Sequence, residues 1–147
     1  MLDPERWSDP EVARRILTEF HVWAVVGASP DPTRPSYRVT RSMMGFGYEI
    51  IPIYPRDVTL HGMQTVPDLR TAAAQRPAGR PIEVVDIFRA SHRAGAHVDE
   101  AIEIGAKAVW LQLGVWDEAA GERAADAGLL VVMDRCPAVD YPALIRG

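Results

Sequence analysis

Short, nearly continuous apolar runs alternate along the chain with longer stretches in which apolar residues recur every three or four positions. The runs His21 to Val26, Tyr48 to Tyr54, Ile82 to Phe88, Ala108 to Leu113 and Leu129 to Met133 read as strands. They are short and lack the polar alternation of a strand with one wet face, so helices are expected on both faces. Between them lie helical patterns at Glu11 to Phe20, Ser36 to Gly45, Asp68 to Gln75, Arg93 to Ile104 and Glu118 to Ala127. In the fourth, Ala94, Val98, Ala101 and Ile102 share one face. Pro10 suits the first position of the leading helix, with Ser8 or Asp9 as cap, and Gly105 and Gly128 stop the last two helices. A short strand is expected near Met63 to Val66, Arg76 to Pro81 reads as a connection, and a further helix follows Cys136.

Regular alternation of strand and helix implies a parallel sheet with right-handed crossovers. The expected fold is α/β: a three-layer, Rossmann-like, doubly wound and mostly parallel sheet of five or six strands, in one domain over residues 1–147. Such a sheet binds ligands beyond the carboxyl ends of its strands, where strand order reverses. That switch is expected between the first strand and the one ending at Phe88. The loops after Val26, Tyr54, Phe88 and Leu113 are therefore the ones to read for chemistry.

Composition narrows the classes. The 147 residues are 48% hydrophobic and 24% charged, as in an ordinary globular domain, and the net charge is -4. That balance disfavours a nucleic-acid partner. No run approaches the length of a membrane span and the start lacks a leader pattern, so a cytoplasmic protein away from membranes is expected. Fifteen of the sixteen basic residues are Arg and Asn is absent; both Lys and Asn have A-rich codons, so base composition accounts for the bias. Position, not count, must identify a functional Arg. The single cysteine, Cys136, excludes an internal disulfide and a cysteine-based zinc site. Trp7, Trp23 and Trp116 read as exposed and available to an interface with an unknown protein partner.

In the first loop, Gly27 permits a sharp turn into the helix at Ser36, whose N-terminus offers free N–H groups to a phosphate. Ser29, Ser36 and Tyr37 add hydroxyls, and Arg34 and Arg38 add charge. The same residues also suit a plain strand-to-helix turn with solvated arginines. A dinucleotide fingerprint is missing, since Gly27-Ala28-Ser29 is followed by no glycine until Gly45. The second strand ends in Tyr54-Pro55-Arg56 rather than in the acid that holds the ribose of NAD. Arg56 there suits a phosphate on the ribose, as in NADP or coenzyme A.

The run Val25 to Val39 closely resembles the first loop of the stand-alone CoA-binding-domain proteins, relatives of the succinyl-CoA synthetase α subunit. Ile51 to Arg56, Val84 to Arg89, Gly105 to Gly114 and Val131 to Pro137 match in the same order, so the resemblance spans about residues 20 to 142. It implies CoA or an acyl-CoA as cofactor, with Gly27, Ala28 and Ser29 against the diphosphate or pantetheine end and Arg34, Ser36, Tyr37 and Arg38 around it. It further implies Arg56 at the adenosine-side phosphate, Pro55 at the adenine edge, Phe88 and Arg89 on the opposite wall, and Gln112, Leu113 and Gly114 as the floor. Tyr54 departs from the family's common Asn.

No catalytic residue is expected. The phosphorylated His of the synthetases comes from a domain not expected here, and His21, His61, His92 and His97 are scattered, so no metal is expected either. Cys136 reads either as a redox thiol, activated by Arg135 and able to form a mixed disulfide with CoA, or as a small half-buried residue in a tight connection. The expected function is CoA binding by a carrier, sensor or CoA-presenting partner without a chemical step. The alternatives are an NADP-dependent oxidoreductase, or a protein-interaction module with a vestigial cleft.

Overall fold

A computed structural model describes residues 2–146. The chain runs through α1 (Pro4–Trp7), α2 (Pro10–Glu19), β1 (Val22–Val26), α3 (Pro35–Gly45), β2 (Glu49–Ile53), β3 (Thr59–Leu60), β4 (Met63–Gln64) and α4 (Leu69–Ala74). It continues through β5 (Val84–Ile87), α5 (Ser91–Glu103), β6 (Ala108–Leu111), α6 (Glu118–Asp126), β7 (Leu130–Val132) and α7 (Pro137–Asp140), and closes with a π-helical turn at Tyr141–Arg146. Five strands form one sheet in the order β2-β1-β5-β6-β7, every neighbour parallel. The fold is the doubly wound α/β sheet expected, and β1 lies beside β5, where the order reverses.

The short strand near Met63 behaves in two ways. Met63–Gln64 pairs antiparallel with Thr59–Leu60, turning at His61 and Gly62, both at positive φ. Two residues on, Val66 makes a parallel bridge to Ile53 on the outer edge of β2, its N–H donating to Pro52 O at 2.9 Å. The sixth strand is thus a single bridge.

Alternate residues of each strand enter two cores, one per face. Val22, Ala24, Val26, Val85, Ile87, Val109 and Leu111 face α4, α5 and α6. Trp23, Val25, Val84, Ala108, Trp110 and Val132 belong to the other core, with Leu17 of α2, Val39 and Met43 of α3, and Cys136. Each fully buried Val or Leu side chain contributes about 1.5–3 kcal/mol, so covering both faces holds the sheet.

The expected exposure of the tryptophans fails here. The residues before Pro10 form a helical turn, and Trp7 is 3% exposed rather than free. Its carbonyl accepts the Met133 N–H at 2.7 Å, a tertiary bond that no local pattern reveals. Trp23 is fully buried against Trp110, and Trp116 is half-buried, its Nε1–H donating to Glu118. No helix of the described residues is long and apolar enough to cross a membrane.

Candidate functional site

Beyond the carboxyl ends of the strands opens a cleft of about 790 Å³. The loop after β1 and the first turn of α3 supply Gly27, Ser29, Arg34, Pro35, Ser36, Arg38 and Val39; Tyr54 comes from the end of β2. Phe88, Arg89 and Ala90 follow β5, Gln112 to Val115 follow β6, and Cys136 follows β7. Among the described residues three arginines and no carboxylate line it, in a chain whose net charge is -4.

Gly27 explains how the first loop reaches the floor. Its φ is +83°, and a Cβ there would lie 2.5 Å from Phe88 O, so only glycine lets the backbone cross so close to β5. The Gly27 and Ala28 N–H groups both donate to Ile53 O, at 3.1 and 3.2 Å, which ties the loop to β2. The Ser29 N–H then donates to Ser36 Oγ at 3.1 Å, and Ser29 Oγ accepts from the Asp31 N–H at 3.1 Å. Asp31 in turn accepts from the N–H and hydroxyl of Thr33; these bonds hold its carboxyl below the usual range, with Arg34 a smaller cause.

The helix caps divide by position. Asp3, Asp9, Asp68 and Asp117 cap α1, α2, α4 and α6, each carboxylate accepting a first-turn N–H. The helices that open on the cleft carry Arg34, Ala90 and Cys136 at the cap position, and none has a side-chain cap bond. The long helices α3 and α5 therefore present uncapped, positive N-termini to the cleft. A capping carboxylate at either place would repel an anion.

None of the described arginines that line the cleft is ion-paired, whereas eight others are. Arg6, Arg14, Arg15, Arg70, Arg76, Arg80, Arg123 and Arg135 are ion-paired. Among the described residues the other seven, Arg34, Arg38, Arg41, Arg56, Arg89, Arg93 and Arg146, have no such pair, and of these Arg34, Arg38 and Arg89 line the cleft.

Of the residues singled out from sequence, Gly27, Ser29, Arg34, Ser36, Arg38, Phe88, Arg89, Gln112, Leu113, Gly114 and Cys136 come together on the cleft wall. Four lie off it. Ala28 is fully buried behind the loop, and Tyr37 turns away, its ring 4.4 Å from that of His61 and its carbonyl accepting from His61 Nε2 at 2.9 Å. Pro55 and Arg56 are exposed just past Tyr54, with Arg56 O accepting from Thr65 Oγ1 at 2.7 Å. Arg135 does not serve Cys136: its guanidinium grips Asp140 at 2.7 and 3.0 Å and donates to Ser8 O at 3.0 Å.

Sequence reading missed Pro35, Val39, Tyr54, Ala90 and Val115 as wall residues. Tyr54 is recoverable from sequence, since it ends the second apolar run and the fold class places the loop after it at the ligand site. It also missed the braces. Asp134, at φ 57°, accepts the Gly114 N–H at 2.7 Å, and Ser91 Oγ accepts the Trp116 N–H at 2.9 Å. Together they clamp the loop after β6 from the segments that follow β7 and β5.

Among the described residues two buried groups, one on the cleft floor and one within β5, lack partners. Gln112, 5% exposed, has an Oε1 with no hydrogen bond, and Asp86, fully buried on β5, has none on either oxygen. Asp86 sits in register between Val25 and Trp110, and burial raises its pKa well above the usual carboxylate value. Burial therefore favours its neutral, protonated form.

Comparison with known proteins gives this geometry a context. A family model described as a CoA binding domain matches residues 21–142, a span that contains every wall residue named above. The uncharacterized protein YneT of Bacillus subtilis (strain 168) is 34% identical over 123 residues, 84% of this chain and 87% of that protein. A hypothetical protein from Pyrococcus horikoshii OT3 has a TM-score of 0.84 and 32% identity, covering 99% of this chain and 98% of its own. The dinucleotide-forming acetyl-coenzyme A synthetase 1 of Ca. Korarchaeum cryptofilum, at 22% identity and a TM-score of 0.62, shares the fold over 78% of this chain and 26% of its own. With the family model spanning the sheet and all its carboxyl-end loops, the chain belongs to the CoA-binding-domain family.

Proposed function

We propose that the cleft binds CoA or an acyl-CoA and that the protein acts as a carrier, sensor or CoA-presenting partner, with no chemical step of its own. The observation that carries this reading is the division of the caps: the long helices opening on the cleft are uncapped and flanked by unpaired arginines, whereas Asp closes helices elsewhere. CoA is a polyanion joined to a long, amide-bearing thiol arm. Uncapped N-termini and Arg34, Arg38 and Arg89 match its diphosphate, and Arg56, past the β2 end, is assigned the adenosine-side phosphate. Phe88, Leu113 and Val115 offer apolar wall to the pantetheine, and the unpartnered Gln112 oxygen offers an acceptor for its amide.

The test is isothermal titration of ligand-stripped protein with CoA, dephospho-CoA, acetyl-CoA and NADP. Micromolar or tighter binding of CoA that weakens for dephospho-CoA is expected. NADP bound in preference to CoA would overturn the reading in favour of an oxidoreductase. Silence from all four ligands would leave a cleft without this ligand class.

A further inference from the structure

Cys136, the only cysteine, lines the cleft at its β7 end and is 7% exposed. Its backbone is held still, since its carbonyl accepts the N–H groups of Val139 and Asp140 at 3.1 and 2.9 Å. On the adjacent strand end, Gln112 is 5% exposed and lines the same cleft with Oε1 unpartnered. A buried amide oxygen left without a donor is unfavourable, and a ligand N–H placed against it removes that cost. The end of a pantetheine arm carries such an N–H, two methylenes from its sulfur. An amide donor at Gln112 therefore brings the ligand sulfur toward the neighbouring strand end, where Cys136 stands. The sheet has the right reach as well: four strand spacings separate β2 from β7, about 19 Å, comparable to an extended CoA with its phosphates at the β1 and β2 ends.

We propose that Cys136 is a thiol–disulfide exchange site for CoA, an inference that rests on the CoA reading of the cleft. The Cys136 thiolate attacks one sulfur of a CoA disulfide bound there. The Sγ–S bond to that CoA forms as the CoA–CoA disulfide breaks, and the second CoA leaves as a thiolate that takes up the proton Cys136 released. Cys136 ends oxidised in the mixed disulfide and one CoA ends reduced; excess free thiol runs the exchange backwards. Gln112 is a positioning residue that orients the arm.

The experiment treats the full chain with CoA disulfide and follows intact mass, with calorimetry against reduced CoA in dithiothreitol run in parallel. A gain of one CoA less two hydrogens is expected, mapped to the Cys136 peptide and reversed by dithiothreitol. It should form at least about tenfold faster than the adduct with glutathione disulfide, because cleft binding raises the effective concentration of the reacting sulfur. Saturating acetyl-CoA should slow it, Gln112→Leu should slow it, and Cys136→Ser should abolish it; peptide mapping of the wild-type protein stands if that variant misfolds. No adduct while CoA binds in calorimetry overturns this inference alone. Equal rates with the two disulfides, or no protection by acetyl-CoA, overturns it too. No CoA binding in calorimetry, whatever the adduct, fails the CoA reading beneath it.

Discussion

Arg34 and Arg56 were legible as phosphate candidates because each stands at a loop that a parallel sheet places over its ligand. What no sequence shows is that they stay unpaired while eight other arginines find carboxylates. Losing a charge-assisted contact to phosphate costs about 1.5–3 kcal/mol, or about one to two decades in Kd. Arg34→Ala and Arg56→Ala are each expected to weaken CoA by that much in calorimetry, and unchanged affinity would place the phosphates elsewhere. Asp86 is the opposite case, a residue whose state only burial reveals. In the unfolded chain it ionises near pH 4, whereas in the fold burial keeps it protonated to much higher pH. Between those values the unfolded state has released the proton and the folded state has not, so this group's effect is to lower stability as pH rises. Asp86→Asn removes that linkage. Its melting temperature relative to wild type is expected to increase from pH 4 to pH 7, and a flat difference would mean that Asp86 is ionised in the fold. Paired carboxylates such as Glu49 and Glu103, held low mainly by arginine, act in the reverse direction but cancel in the comparison.

Elements follow from local chemistry where that chemistry is strong. The strands lie within a residue or two of their apolar runs, and Asp9, Asp68 and Asp117 start helices where a capping carboxylate should. The helical turn Pro4–Trp7 escaped because four residues carry no period and their fixation comes from across the molecule. Trp7 packs over Gly121 in the middle of α6, where a Cβ would lie 2.5 Å from Met133 Cε and 2.9 Å from the Trp7 ring. In an exposed helix, Gly→Ala is worth about 0.5–1 kcal/mol of stability. At Gly121 the sign reverses, and Gly121→Ala is expected to destabilise by about 1–2 kcal/mol through overpacking, read by chemical denaturation. A gain in stability would show that Met133 and Trp7 give way freely.

The whole molecule carries charge -4 yet gathers uncapped helix ends and unpaired arginines around one cleft. Attraction for a polyanion is therefore local and must work against the net field. Raising salt from about 0.1 M to about 1 M shortens the screening length from about 10 Å to about 3 Å. CoA affinity is expected to fall several-fold over that range in calorimetry, while salt-independent affinity would mean that the pantetheine arm, rather than the phosphates, holds the ligand. Alternation of apolar runs with helical periods, glycine and proline punctuation and the aspartate caps act over a few residues, so the doubly wound sheet, its switch point and the loops that meet there are already written in local patterns. Contacts between distant segments belong to the tertiary structure alone. It decided that Arg135 grips Asp140 and Ser8 instead of tuning Cys136, that Asp134 and Ser91 brace the loop after β6, and that Tyr37 turns from the cleft while Tyr54 lines it. The physical reason is the parallel sheet itself, which sets side by side strand ends that lie tens of residues apart, so each polar group's partner is chosen only once the strands are in register.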